Sequence, residues 1–108
     1  VLYATVGQYS SSADDAGIPD FTVVVAVNED GTTTTVANTW DFERENNPDG
    51  TILDSHPYGI SAGPDGALYV ADAGANDVLR IDPETGEVSL VAVLDALPGV
   101  FPSETRGG

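Results

Sequence analysis

The sequence predicts an all-β chain, a β-propeller of about one and three-quarter four-stranded antiparallel blades and therefore an incomplete propeller. Three observations lead there. Apolar residues alternate along short runs that end in Gly-rich turns, which is the pattern of an antiparallel meander. Four such runs fit within about forty residues, the size of one blade. Most of the same pattern also occurs a second time, upstream.

The complete copy lies between His56 and Val93. Its expected strands are Tyr58–Ala62, Ala67–Asp72, Asp77–Asp82 and Glu87–Val93. Gly63-Pro64-Asp65-Gly66 and Pro83-Glu84-Thr85-Gly86 supply tight turns, and Ala73–Asn76 a short loop. The upstream copy begins at Val1–Val6, which aligns with Ala67–Asp72. Phe21–Val27 with its turn Asn28–Gly31 aligns with Val78–Ile81 and Pro83–Gly86, and Thr32–Trp40 aligns with Glu87–Asp95. An insertion, Gln8–Asp20, replaces the short loop. Residues 1–50 are thus expected to hold strands two to four of one blade plus a connector, 51–95 a whole blade, and 96–108 a connector tail.

The ends fall out of phase with this repeat. Blades bury their faces only against neighbours, so fewer than two cannot close a ring. The expected partners are neighbouring blades of a longer chain or further copies of this one, and the first of these is favoured. Edge pairing into an oligomer or fibre is a structural alternative, because unpaired strand edges invite it.

With 108 residues there is room for one modest core. The chain lacks cysteine, which excludes disulfides and thiolate metal sites. It also lacks lysine, and 18 acidic residues against three arginines leave a net charge of −15. Such a surface repels nucleic acid and anionic lipid. No run is long and apolar enough to span a bilayer. This composition leans towards a secreted protein, extracellular or periplasmic.

Tight turns are expected at one end of the strands and the long connections, Gln8–Asp20, Asp41–Ser55 and Ala73–Asn76, at the other. Long loops on a rigid scaffold commonly carry function, so that end is the candidate functional face, for a small molecule or a protein. The Asp-Gly pieces at Asn28–Gly31, Asn47–Gly50 and Pro64–Gly66 lack the ligand series of a calcium-binding helix–loop–helix unit. They are read as turns in which Asp or Asn bonds its own backbone and Gly takes positive φ.

The connector carries Asp41, Glu43, Glu45, Asn46, Asn47, Asp49 and Asp54, and is read as a solvated acidic loop. Should it hold a metal, hard Ca²⁺ suits its oxygens, with Asp54, Asp72 and Asp41 as candidate ligands; otherwise no cofactor is expected. His56, the sole histidine, precedes Pro57 at the start of a first strand and is a candidate ligand contact, with Tyr58 beside it. Trp40 either caps the core or offers a stacking platform, and the core reading is favoured. Tyr3, Tyr58 and Tyr69 are expected to fill space between blades, and Thr32–Thr35 to form a polar strand edge. No nucleophile-elbow, phosphate-cradling or dinucleotide motif is present, and no catalytic residue is assigned.

The blade residues HPYGI, GPDGALYVADAGAN and LRIDPETG resemble the NHL-like and SMP-30-like six-bladed propellers. Together with IPDFTVVVAVN (Ile18–Asn28) and FERENNPDG (Phe42–Gly50), they are more closely similar to the ScyD/ScyE family, propeller proteins named from scytonemin pigment gene clusters. That resemblance spans nearly the whole chain and implies an exported propeller about three times as long, mostly of unassigned activity. It carries fold rather than catalysis. A related class, the gluconolactonase-like enzymes, holds a divalent metal in the channel through Glu, Asn and Asp of several blades. Asp54 or Asp72 could reach comparable depth, although no motif matches residue by residue. The expected function is a binding or scaffolding module acting through the long-loop face. A metal-dependent lactonase or lyase is the rival from the enzyme class.

Overall fold

A computed structural model describes residues 2–94; the expected tail 96–108 lies outside them. Nine strands and one helix follow in order. They are β1 (Leu2–Val6), β2 (Tyr9–Ser10), β3 (Val23–Val27), β4 (Thr33–Asn38), α1 (Thr39–Asn46), β5 (Asp54–Ser55), β6 (Pro57–Ala62), β7 (Leu68–Asp72), β8 (Asp77–Ile81) and β9 (Val88–Val93). The chain is all-β in character and propeller-like but incomplete, with three antiparallel sheets ordered β1-β3-β4, β2-β5 and β6-β7-β8-β9.

The four-stranded meander forms where alternation and turn chemistry predict it. Asp65 Oδ1 accepts from Ala67 N at 3.1 Å while Gly66 takes φ 82°, so the β6–β7 turn closes on its own carboxylate. The same device recurs at Asp30, which accepts from Thr32 N at 3.0 Å with Gly31 at φ 86°. The Asp-Gly pieces are turns. Leu68 pairs with Ile81 and Asp72 with Asp77, in register along the whole of β7 and β8.

The three-stranded sheet matches the upstream copy. Valine dominates β3, and its β-branched side chains suit a strand buried on both faces, as the first three positions are. Thr33–Thr35 are exposed on the edge strand β4, with Thr32 exposed just before it, and their hydroxyls keep the edge polar. The core lies between the two sheets. Val24 and Ala37 from one meet Leu68, Val70 and Ile81 from the other, with Tyr3, Val36, Ile60 and Val88 packed around them.

Two expectations change. The segment after β4 is a helix for eight residues rather than a continued strand and a loop. Asn38 caps it, its side chain accepting from Trp40 N and Asp41 N, and Asn47 ends it in the left-handed conformation. Asp41 in the first turn and Arg44 in the last suit the helix dipole. Tyr58, expected between blades, is instead 72% exposed.

Replacing fully buried Ile81 with Ala should cost about 2–5 kcal/mol in chemical denaturation, by lost transfer energy and a residual cavity. Thr34→Ala on the exposed edge should stay within about 0.5 kcal/mol.

Candidate functional site

The long connections converge because polar side chains tie them together. Tyr9 and Ser10 of the insertion pair with Ser55 and Asp54 of the connector, forming the β2–β5 ribbon. Gln8 Nε2 reaches the Asp54 carboxylate at 3.3 Å and 3.5 Å. Trp40 Nε1 and Arg44 Nη1 both donate to Asp15 O, at 3.0 Å and 3.2 Å, so α1 holds the middle of the insertion. Asn76 Nδ2 donates to Asp49 Oδ2 at 2.8 Å, tying the β7–β8 loop to the turn after α1.

Asp72 is the hub. Its Oδ1 accepts from His56 N at 2.7 Å, Gly74 N at 3.1 Å and Ala75 N at 3.0 Å, and its Oδ2 from Ser55 Oγ at 2.7 Å. Ser55 Oγ also lies 2.6 Å from Thr39 Oγ1, whose hydroxyl is in turn 3.1 Å from Thr22 O, so the two hydroxyls share their protons among Asp72, each other and the Thr22 carbonyl. A relay thus runs from the first turn of α1 through the connector into the complete blade. Gly74 is required beside it, because a Cβ there would stand 2.5 Å from Asp54 Oδ1.

Two further acids lie in this region without such support. Glu43 and Asp77 are each 1% exposed, and none of their four carboxylate oxygens has a hydrogen-bond partner. Burial pushes Glu43 up to about 8, helped by the charges of Asp49, Asp77, Asp72 and Asp54. Burial likewise pushes Asp77 up to about 7, with Asp72 and Asp49 adding to it. At the surface the reverse holds. The Gly17 amide, then Tyr9 and Ser11, hold Asp15 low, and bonds from Thr32 do the same for Asp30.

The predicted site residues fall into different places. Trp40 is 1% exposed, packed edge-on against Tyr9 at 5.0 Å and over Gly17, so its ring is a core cap and presents no open platform. His56 is half-buried, its ring edge-on to exposed Tyr58 at 5.6 Å, and this pair stands at the margin of the converged connections. Asp54 and Asp72 are fully buried, whereas Asp41 is exposed and pairs with Arg44 at 3.6 Å. Among the described residues no group of three or more His, Cys, Asp or Glu could hold a metal ion, so Asp41, Asp54 and Asp72 form no ready ligand set. Glu43 and Asp77 were hidden in the sequence among many solvated acids; the helical spacing of Trp40 and Glu43 was the available signal.

A separate depression of about 210 Å³ lies at the tight-turn end, beside the Arg80–Asp65 pair at 3.1 Å. It is shallow, and its one cation is already matched by a carboxylate, so the converged connections carry the argument. No helix among the described residues is long and apolar enough to cross a membrane.

No protein-family model matches the chain, and no solved structure matches it. Over 41 residues, 38% of its length, it is 46% identical to the virginiamycin B lyase of Mycolicibacterium smegmatis. The matched stretch is 14% of that enzyme, a short likeness consistent with a propeller family.

Asp72→Ala strands four donors in a buried site and should cost at least about 3 kcal/mol, read by urea denaturation. In chelator-treated buffer, stability should fall as pH rises from about 5 to 8. Over that range the native protein keeps protons on Glu43 and Asp77 that the unfolded chain has released, so each pH unit favours unfolding. Denaturation midpoints at several pH values check the sign, and the slope should shrink in Glu43→Gln.

Proposed function

We propose that this chain is part of an exported, acidic β-propeller of the ScyD/ScyE kind that serves as a binding or scaffolding module through its long-connection face. In this reading residues 1–50 and 51–95 belong to successive blades, and further blades or further copies cover their outer sides. The observation that carries the proposal is the cross-linked platform itself. The insertion reaches Asp54 through Gln8, the β7–β8 loop donates to Asp72, and α1 is linked to Asp72 through the Thr39 and Ser55 hydroxyls, while the His56–Tyr58 ring pair stays accessible at their margin. Such a rigid support with an exposed aromatic pair suits recognition, since little order has to be gained on binding. The apolar side chains Leu90, Val91, Val93 and Leu94, each 39% exposed or more, suit a neighbouring blade.

A second reading is favoured by the short likeness to a lyase. The whole protein would then be an enzyme assisted by a divalent metal, and its turnover would be sensitive to EDTA.

A metabolite, glycan and peptide array probed with the chain and with its Tyr58→Ala variant tests the binding reading. A ligand whose binding falls at least about tenfold in the variant, at unchanged melting temperature, is the expected result. Ligands held equally by both proteins would place recognition elsewhere.

A further inference from the structure

Glu43 and Asp77 present an unusual problem of charge. Both are 99% buried, and their oxygens accept no hydrogen bond from the protein. A buried carboxylate without a partner is costly, and such groups are normally paired or bound to a cation. The described residues supply no counter-ion: Arg44 is engaged by Asp15 O and Asp41, and Arg80 by Asp65. A third orphan lies on the same turn of chain as Glu43. Asn47 Oδ1 is buried and unpartnered, although its amide nitrogen donates to Thr51 O at 2.9 Å.

These groups lie on two segments that a side-chain hydrogen bond joins. Asn47 caps α1, its N–H donating to Glu43 O at 2.8 Å, which sets both side chains at the C-terminal end of the helix. On the second segment, Asn76 immediately before Asp77 donates to Asp49, two residues after Asn47. Asp77 is in turn one of the charges that raise Glu43. Five orphaned oxygens thus lie on two segments that the Asn76–Asp49 bond holds together.

We propose that Glu43, Asp77 and the side-chain oxygen of Asn47 bind one hard divalent cation, Ca²⁺, at the seam between α1 and the β7–β8 connection. Two carboxylates match its charge. Carboxylate and amide oxygens are the ligands calcium takes, in flexible geometry completed by backbone carbonyls or water. Softer metals are disfavoured, because the chain has no cysteine and His56 is its only histidine. With only two carboxylates the set differs from the acid triad expected from sequence, and it lies within two adjacent segments of one chain. The cation would clamp the connector helix onto the complete blade.

The test titrates CaCl₂ into chelator-treated protein by calorimetry and compares melting in CaCl₂ and in NaCl of equal ionic strength. One saturable site is expected, with a rise in Tm of about 10 °C at calcium about a hundredfold above Kd. Glu43→Gln and Asp77→Asn keep size, remove buried charge and should fold, yet each should weaken binding at least about tenfold. Asp20→Asn, on an exposed loop, should leave it unchanged. No saturable heat in the native chain would overturn the proposal. So would an equal calcium response in the double variant, since that marks diffuse screening of a −15 surface.

Discussion

The Asp72 carboxylate is the constraint on which the long-connection end depends. The side chain sits at the last position of β7, and its four donors come from two segments, Ser55–His56 and Gly74–Ala75. Backbone amides of Gly74 and Ala75 turn the chain from β7 into β8, and the amide of His56 fixes where β6 begins. The Thr39–Ser55 hydroxyl relay extends the same support to α1. A carboxylate is well suited to this, because it only accepts and has room for four donors.

Around that hub, burial and charge work against each other. Val24, Ala37, Leu68, Val70 and Ile81 form an apolar layer between two sheets, as successive blades require. The adjoining polar region encloses Glu43, Asp54, Asp72 and Asp77 almost completely. Asp54 and Asp72 are met by donors, while Glu43 and Asp77 respond by holding protons more tightly than free carboxylates do. The stability of the seam is therefore tied to its charge state, and a neutralising species from solution would lift the penalty.

The complete blade was legible because its signals agree: alternation, Asp-Gly turns and strand spacing give one answer along Pro57–Val93. The helix was not. Aligning Thr32–Trp40 with a fourth strand carried the strand pattern two residues too far, past the cap at Asn38. In hindsight Asn38, Asp41, Arg44 and Asn47 are cap, first-turn acid, last-turn base and left-handed terminator. The gathering of the long connections followed from topology and was foreseen. The two orphaned acids were not, because among so many Asp and Glu residues the helical spacing of Trp40 and Glu43 is a faint signal for one of them and Asp77 carries none. Their burial and their unpartnered oxygens, which only the fold reveals, single them out.

Amide hydrogen exchange of His56, Gly74 and Ala75 in the native chain, resolved by NMR, tests the Asp72 hub most directly. Three amides bonded to one buried carboxylate should exchange far more slowly than those of an exposed loop, with protection comparable to β7 and β8. Exchange as fast as in the exposed stretch 12–14 would contradict the account, since the connections would then be held by something other than Asp72.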